Sequence, residues 1–252
     1  MNEFSGKVIV ITGAGSGIGK ATAIKLAQLG ATLALGDINE EGLKSTIAEC
    51  ETPDTPSDHS SWVVDVRLRE ACDQFIHNVT DRYGKIHHCF LNAGINPLRM
   101  ETEHISDDYW DKLVDTNLKG VFNMTRAALP IMRAGSSFVN TSSLCGLYPT
   151  AGFAVYCATK YAIIGFSKSV ALEVGERGIR VNVIAPGSVE TPTNFSVQQG
   201  GDEISQIAKG VGLKRIGKPE EIADVVAFLF SDKSRYMNGS VVEIDGGIGL
   251  SF

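Results

Sequence analysis

The sequence predicts an α/β fold, with one doubly wound parallel sheet of about seven strands and helices on both faces. Short apolar runs rich in β-branched residues alternate with helix-length segments along the 252 residues. These runs are largely continuous in apolar residues and do not alternate with polar ones, as expected of strands that are buried on both faces. A chain of this length can bury one large core, so we predict a single domain over residues 1–252.

Seven runs are predicted to be strands because Gly, Pro, Asn, Asp or Ser bound each of them. They are Val8–Thr12, Thr32–Gly36, Ser61–Val64, Ile86–Leu91, Ser136–Thr141, Arg180–Ile184 and Val241–Ile244. Apolar residues at helical spacing predict helices between them. These are Ile18–Leu29, Ala71–Tyr83, Trp110–Met132, Ala154–Val174 and Pro219–Phe230.

Two segments are predicted to be loops. Glu51–Ser60 contains two prolines and several small polar residues, which is typical of a surface loop. Residues 191–212 carry a pair of adjacent glycines and little apolar content. A loop of that length inside a compact domain is more often functional than idle, so we predict that it binds substrate.

Composition and charge argue against several classes of function. The 29 acidic residues outnumber the 23 basic ones, and the net charge of −6 without a long basic run disfavours a nucleic-acid partner. No apolar run reaches the roughly 18 residues of a membrane span, and we expect a cytoplasmic protein without membrane contact. The five cysteines and five histidines lack the spacing of a disulfide framework or a metal site.

A glycine-rich turn, TGAGSGIG at residues 12–19, joins the first strand to the first helix. Such glycines let the backbone approach a pyrophosphate, and the helix N-terminus supplies free amides. The strict G-x-G-x-x-G fingerprint is absent, yet four glycines here favour a dinucleotide site over a purely geometric turn. Asp37 ends the second strand, where an acid binds the adenosine ribose. Because Ile38 and not Arg or Lys follows it, we predict NAD(H) in preference to NADP(H).

Tyr156 and Lys160 lie four residues apart on one face of a predicted helix. A fixed ammonium favours the ionised phenol and brings its pKa toward the range that a general acid/base needs. Taken alone, such a pair is more often an ordinary surface pair. Ser143 precedes Tyr156 by 13 positions, and Ser142 is an equally good candidate by residue type.

In this order and spacing, the motifs resemble the short-chain dehydrogenase/reductase family from about Gly6 to Gly247. The matching segments are residues 12–19, Leu91-Asn-Ala-Gly94, Asn117, Ser143, Tyr156-Cys-Ala-Thr-Lys160, Pro186-Gly187 and Thr191. Leu91 is the one departure, since the family often has Asn there. The resemblance implies a Rossmann-like domain that moves a hydride between a nicotinamide cofactor and an alcohol or ketone.

The resemblance also implies residue roles. Tyr156 would be the general acid/base, and Lys160 would lower its pKa and bind the nicotinamide ribose. Ser143 would hold the substrate oxygen, and Asn117 would support a water that relays protons. Asp65 would contact the adenine. The implied cofactor-binding residues are Gly13, Gly15, Ser16, Gly17, Ile18, Gly19, Asp37, Ile38, Asp65, Val66, Asn92, Ala93, Gly94, Tyr156, Lys160, Pro186, Gly187, Val189 and Thr191.

The residues expected to face the substrate are mostly apolar and include no Arg or Lys, which predicts a neutral, fairly hydrophobic ketone or secondary alcohol. They are Ser143, Leu144, Cys145, Leu147, Phe153, Tyr156 and Ser188, with Asn96 at the mouth. An epimerase, dehydratase or cyclase on the same scaffold remains an alternative, as does a catalytically silent dinucleotide-sensing protein. The resemblance further implies a homo-oligomer, either a tetramer or a dimer.

Overall fold

The computed structural model describes residues 3–51, 58–96, 98–192 and 201–248, without the side chains of 201–204. Its strands are β1 (Val8–Thr12), β2 (Thr32–Asp37), β3 (Ser60–Val63), β4 (His88–Leu91), β5 (Ser137–Thr141), β6 (Arg180–Pro186) and β7 (Val241–Ile244). They form one parallel sheet in the order β3-β2-β1-β4-β5-β6-β7. The predicted fold class is therefore confirmed.

The helices that connect these strands lie on both faces of the sheet. They are α1 (Gly17–Gln28), α2 (Glu40–Cys50), α3 (Arg69–Tyr83), α4 (Asp107–Leu113), α5 (Gly120–Ala128), α6 (Ala154–Val174), α7 (Gly201–Gly210) and α8 (Pro219–Phe230). A π-helical segment, Val114–Lys119, joins α4 to α5. No helix in the described ranges is both long enough and apolar enough to cross a membrane.

Two helices lie outside the segments that were predicted to be helical. Helix α2 was not predicted, although Asn39 caps it by accepting a hydrogen bond from the Gly42 amide at 3.0 Å and two glutamates fill its first turn. Helix α7 lies within the segment 191–212, so the prediction of a continuous loop is wrong for residues 201–210. The adjacent glycines at its start obscured the helical spacing of Ile204 and Ile207. Residues 193–200 of that segment lie outside the described residues.

Alternating strand residues divide the core into two layers. On β1, Val8 and Val10 face a cluster that α3, α5 and α6 cover, whereas Ile9 and Ile11 face a cluster that α1, α2 and α8 cover. Fully burying one such aliphatic or aromatic side chain contributes about 1.5–3 kcal/mol. Because all strand pairs are parallel, the carboxyl ends of the strands lie along one edge of the sheet, and those ends form the candidate site.

The two adjacent histidines, His87 before β4 and His88 at its start, have structural partners. His87 accepts a hydrogen bond from the Val8 amide at 2.8 Å. His88 is buried, lies 2.8 Å from the Ser137 hydroxyl and stacks on Phe230. Burial lowers the pKa of His88 to about 3, so its ring is neutral in the folded protein. The five cysteines are free thiols.

Candidate active site

The carboxyl ends of β1 and β4 meet where the chain reverses its direction of strand addition. The amides of Asn92 and Ala93 both donate to the Thr12 hydroxyl, at 3.2 and 3.3 Å. Asn92 also donates from its side chain to the Gly13 carbonyl at 3.3 Å. Open parallel sheets bind ligands in the crevice at this switch point. The contacts hold the two sides of that crevice together, the glycine turn after β1 and the loop after β4.

The glycine turn between β1 and α1 is a close-packed cradle. Gly13 and Gly17 have φ angles of 69° and 52°, in the left-handed region that favours glycine. A Cβ at Gly19 would lie 1.9 Å from the Gly13 carbonyl oxygen, so helix and turn touch there. Ser16 begins α1 without a side-chain capping bond, and the first turn holds no acid. Ile18 packs half-buried against the core beneath the turn.

Helix α2 supports this turn from outside. A Cβ at Gly42 would lie 2.6 Å from the Gly15 carbonyl oxygen. Thr46, one turn further along α2, donates to the Ala14 carbonyl at 2.8 Å. The conformation of the glycine turn therefore depends on a helix that begins more than 20 residues later.

Asp37 ends β2 directly beside the glycine turn. Its two carboxylate oxygens accept hydrogen bonds from the amides of Gly15 and Asn39, each at 2.9 Å. The carboxylate is thereby fixed in orientation next to the cradle, with acceptor capacity left for a hydroxyl pair. Ile38 follows it with 71% of its surface exposed.

Asp65 and Val66 lie just beyond β3, further along the same edge. Arg67 binds both oxygens of the Asp65 carboxylate, and its Nη2 lies 2.6 Å from Oδ2. These hydrogen bonds lower the pKa of Asp65. The Val66 side chain is buried, and its N–H donates no hydrogen bond within the described part of the chain.

Asn117 lies in the π-helical segment and is 1% exposed. Its Oδ1 accepts from the Ile95 amide at 2.8 Å, and its Nδ2 donates to the Ile95 carbonyl at 3.0 Å. A Cβ at Gly94 would lie 3.1 Å from the same Oδ1. The predicted helix Trp110–Met132 is thus interrupted at Asn117. Single π turns of this kind are frequent at functional sites.

Helix α6 presents Tyr156 and Lys160 on one face, as predicted. Tyr156 is 9% exposed and packs with Leu113 and Val155, and Lys160 is 5% exposed. The Lys160 Nζ lies 5.5 Å from the centre of the Tyr156 ring and donates to the Thr141 carbonyl at 3.0 Å. The pair is therefore buried at the carboxyl end of β5, and the interpretation as a surface pair is wrong.

The two serines after β5 differ in their surroundings. Ser142 is 2% exposed, and its hydroxyl donates to the Lys160 carbonyl at 2.8 Å. The half-buried Ser143 hydroxyl accepts from the Cys145 amide at 3.2 Å and lies close enough to the Tyr156 phenol to lower its pKa. Only Ser143 of the two faces the phenol.

Burial dominates the protonation of the pair. It raises the pKa of the Tyr156 phenol well above its usual value, and the hydrogen bond with Ser143 opposes that change only in part. Burial also lowers the pKa of the Lys160 ammonium to about 8. The protein's own groups therefore do not produce the lowered phenol pKa that the spacing predicted, because desolvation of the buried phenol is the largest influence on its protonation.

The segment after β6 reaches back to the glycine turn. Pro186 is the last residue of β6, and the Gly187 amide donates to the Ile244 carbonyl at 3.0 Å. Val189 is buried and pairs with Gly217 as an isolated β-bridge. Thr191 is buried against Gly17, at which a Cβ would lie 3.1 Å from the Thr191 methyl group. The segment thus closes the crevice opposite Asn92.

Of the residues expected to face the substrate, some pack near Tyr156 and others are buried or half-buried. Phe153 and Cys145 pack half-buried against the cluster that contains Tyr156. The Cys145 thiol lies 3.6 Å from the Thr150 hydroxyl, and burial raises its pKa. Leu144 is buried, while Ser188, Leu147 and Asn96 are half-buried.

Comparison with known proteins gives matches over nearly the whole chain. Residues 13–249 match a family model described as enoyl-(acyl carrier protein) reductase. The 3-oxoacyl-(acyl-carrier-protein) reductase FabG of Thermotoga maritima is 41% identical, over 98% of this chain and 99% of that protein. Levodione reductase of Leifsonia aquatica is 38% identical, over 99% and 97%. Cyclohexanol dehydrogenase of an Acinetobacter species is 35% identical, over 97% and 96%.

Solved structures show the same relationship. The crystal structure of levodione reductase superposes with a TM-score of 0.94 at 36% identity, covering 99% of this chain and all of that one. A short-chain dehydrogenase from Burkholderia cenocepacia, solved in complex with NADP, gives 0.91 at 28% identity, over 98% and 99%. The fold, the order of the motifs and these matches agree. The chain belongs to the short-chain dehydrogenase/reductase family of oxidoreductases.

Proposed function

We propose that the protein transfers a hydride between a nicotinamide cofactor, with NAD(H) favoured, and a neutral, fairly hydrophobic ketone or secondary alcohol. One observation carries the proposal. Tyr156 is buried, its pKa is influenced by the Ser143 hydroxyl, and the Lys160 ammonium lies 5.5 Å from its ring centre, at the same sheet edge as the glycine turn. This arrangement supports proton transfer at Tyr156 next to a dinucleotide bound at the glycine turn.

Hydride transfer builds or removes negative charge on one substrate oxygen, and a positioned phenol and hydroxyl can stabilise that charge. The neutral phenol that burial favours at Tyr156 is the form that donates a proton to a ketone. Ser143 would hold the same oxygen by a hydrogen bond. Lys160, with its pKa near 8, would return the proton to Tyr156.

Asn117 would support the water that supplies Lys160 with protons. Both polar atoms of its side chain bond the backbone of Ile95. We therefore assign the water to the backbone of the π turn at Asn117 and give the side chain the task of holding Ile95. A substitution at Asn117 would then disturb both the turn and the loop that follows β4.

The residues present fit a nicotinamide adenine dinucleotide. A Cβ at Gly13 would lie 2.8 Å from the Ala93 Cα and one at Gly15 would lie 3.0 Å from the Asp37 carboxyl carbon, so only glycines fit this cradle. Amides at the start of α1 would hold the pyrophosphate. When bound, the nicotinamide supplies the carbon that gives or accepts the hydride.

The remaining cofactor contacts follow the crevice. Asp37 would bind the adenosine ribose, and Asp65 with Val66 would bind the adenine. Val189 and Thr191 would bind the carboxamide. Tyr156 and Lys160 would bind the nicotinamide ribose, with Ser16, Gly17, Ile18, Gly19, Ile38, Asn92, Ala93, Gly94, Pro186 and Gly187 lining the rest of the crevice.

The preference for NAD(H) rests on Asp37. Its carboxylate is fixed by the amides of Gly15 and Asn39, so it cannot swing away from a ribose 2′-phosphate, and like charges would repel. A related dehydrogenase was solved with NADP, which makes the preference of this chain a direct experimental question. Dissociation constants for NADH and NADPH, measured by titration, answer it.

The substrate class rests on the apolar neighbours of Tyr156, which include Phe153 and Leu144. Two relatives are named levodione reductase and cyclohexanol dehydrogenase, which supports a cyclic ketone or alcohol as the substrate of this chain. A second candidate is reduction of a 3-oxoacyl thioester, because the Thermotoga relative is named for that reaction. No Arg or Lys among the expected substrate-facing residues would pair with the phosphate of a carrier arm, which favours the first candidate.

Exposed apolar residues on α5 and α6 support the proposal of a homo-oligomer, either a tetramer or a dimer. Phe122 and Tyr161 are each 43% exposed, and Leu172 is 83% exposed. Phe122 meets Phe166 edge to face, which joins the two helices into one surface. A second copy of the chain would cover that surface. Size-exclusion chromatography with light scattering should return a multiple of the 27.0 kDa chain, and a monomer would contradict this proposal.

A substrate screen in both directions tests the function. Cyclic and linear ketones with NADH or NADPH, and secondary alcohols with the oxidised forms, are followed by the nicotinamide absorbance band. Turnover of cyclic ketones with NADH is expected. Best turnover with acyl-carrier thioesters would favour the second candidate, and product formation without any absorbance change would indicate an epimerase, dehydratase or cyclase. Cofactor binding without turnover of any substrate would indicate a sensing protein.

A further inference from the structure

We propose that Arg67 is a positioning residue for adenine recognition, because it holds the Asp65 carboxylate as a fixed hydrogen-bond acceptor beside the Val66 N–H. The inference rests on the proposed function, since it assumes that an adenine dinucleotide binds at this edge of the sheet. It adds a residue of this chain outside the set predicted to bind the cofactor.

Arg67 binds Asp65 with its backbone and its side chain together. The Arg67 amide donates to Oδ1 at 3.0 Å. Its Nε lies 3.0 Å from each carboxylate oxygen, and Nη2 lies 2.6 Å from Oδ2. The guanidinium thus forms a fork on the carboxylate, an arrangement that fixes the plane of both groups.

The stability of the fold gives little reason for this fork. The side chains of Arg67 and Asp65 are 47% and 23% exposed, and ion pairs this open to solvent contribute little to folding. The two residues lie in the short connection between β3 and α3, at the carboxyl edge of the sheet. Among the described residues, Arg67 has no other side-chain hydrogen-bond acceptor than Asp65.

The fork limits what Asp65 can still accept. An ionised carboxylate has about four acceptor sites. The three donor groups of Arg67 make four contacts with the carboxylate, and the single Nε hydrogen is shared between both oxygens. Because one donor is shared, the carboxylate keeps about one acceptor site, in a direction that the fork fixes. Next to it, the Val66 N–H is a donor without an acceptor in the described structure.

One fixed acceptor beside one free donor complements the edge of adenine, which presents an exocyclic amine next to a ring nitrogen that accepts. Hypoxanthine presents a carbonyl oxygen and a ring N–H on the same edge, so both contacts would be reversed. Ionisation of Asp65, which the ion pair with Arg67 favours, keeps the acceptor from becoming a donor. Without Arg67 the carboxylate could rotate, and the discrimination between the two bases would weaken.

The test compares binding of NADH and of reduced nicotinamide hypoxanthine dinucleotide by fluorescence titration. We expect the unmodified protein to bind NADH roughly tenfold more tightly, the size of one charge-assisted hydrogen bond. Arg67→Met should reduce that ratio to about two- to threefold. Arg67→Lys, which keeps the charge and loses the fork, should give a ratio between that of the unmodified protein and that of Arg67→Met.

Arg69→Met is the matched control, because Arg69 forms a similar exposed ion pair with Asp73 at 3.3 Å without touching Asp65. The ratio should stay at its original value in that variant. A double-mutant cycle adds the decisive comparison. In an Asp65→Ala background, Arg67→Met should change the ratio no further. Melting temperatures of all variants verify that each one is folded.

Two outcomes overturn the inference while leaving the proposed function intact. In the first, Arg67→Met leaves both dissociation constants, and therefore their ratio, unchanged. In the second, Arg67→Met weakens the binding of both dinucleotides by the same factor, which would make Arg67 a direct ligand of the nucleotide. If the unmodified protein binds neither dinucleotide, the proposed function itself fails and the inference fails with it. These results are distinguishable in one set of titrations.

Discussion

The cofactor end of the candidate site, from Gly13 to Asp37, consists of backbone groups and small residues, whereas the proton-transfer end consists of large buried side chains. At the first end, glycines touch neighbouring main chain, and one carboxylate accepts two amides. At the second end, burial raises the pKa of Tyr156 and lowers that of Lys160. In the proposed function, shape would therefore select the ligand at one end, whereas desolvation would set the proton chemistry at the other.

The strongest test of this division is Tyr156→Phe. The change removes one hydroxyl from a buried ring and leaves the glycine turn untouched. We expect kcat to fall about 100- to 10,000-fold, the usual contribution of a general acid/base, while the Kd of NADH stays within about twofold. Steady-state kinetics and NADH titration measure both. Full retention of kcat would contradict the role of Tyr156.

Comparison of Ser143→Ala with Ser142→Ala separates the roles of the two serines at the proton-transfer end. Loss of a hydroxyl that stabilises the reacting oxygen costs about 100-fold in kcat, and we expect that loss for Ser143. The Ser142 hydroxyl bonds the Lys160 carbonyl. Its removal should mainly lower the free energy of unfolding, by about 1–2 kcal/mol. The reverse pattern of kinetic and urea-unfolding results would exchange the two roles.

Lys160→Met tests whether desolvation dominates this end. Burial lowers the pKa of Lys160 from 10.5 to about 8. The stability linked to this group is therefore fully present above about pH 10.5 and is lost as the pH falls toward 8. At pH 7 the variant should unfold with a free energy about 2 kcal/mol higher than the unmodified protein, while its turnover falls.

Urea unfolding at pH 7 and at about pH 9.5 measures this effect, and the gain from Lys160→Met should shrink at the higher pH. Lys168→Ala, on the same helix, is the control. Its free energy of unfolding should differ from that of the unmodified protein by the same amount at both pH values. A Lys160→Met protein less stable at pH 7 would show that the bond to the Thr141 carbonyl outweighs the desolvation of the ammonium.

Asp37→Ala tests the cofactor end. Removing the ribose acceptor should weaken NADH binding about tenfold and change NADPH binding less, since the repulsion of the 2′-phosphate is also removed. Glu40→Ala is the control, because it removes an exposed acid paired with Lys44 nearby. Equal changes in the Kd values of NADH and NADPH for Asp37→Ala would place cofactor selection elsewhere.

The sequence was sufficient to predict the bounds of a helix or strand where one local signal dominates. Helix α6 and strands β1 and β7 have the predicted bounds, because apolar period and flanking turn residues agree there. The position of Asp37 at the end of β2 followed from the same strand pattern. Element bounds and residue positions that depend only on local spacing in the chain were therefore predictable.

Features that depend on packing were not predictable from the sequence. The π turn at Asn117 depends on its bonds to Ile95, 22 residues away. The choice between Ser142 and Ser143 depends on which one faces the phenol. The direction of the Tyr156 pKa shift depends on burial, which the spacing of Tyr156 and Lys160 does not reveal.

The contact between Gly42 and the glycine turn has a consequence for mutational data. A methyl group at Gly42 has no room, because the Gly15 carbonyl oxygen lies 2.6 Å from the position of its Cβ. Gly42→Ala would therefore push the turn into the cofactor crevice. A deep mutational scan scored by cofactor affinity should group Gly42 with Gly15 and Gly19, so that helix α2 counts genetically as part of the nucleotide site.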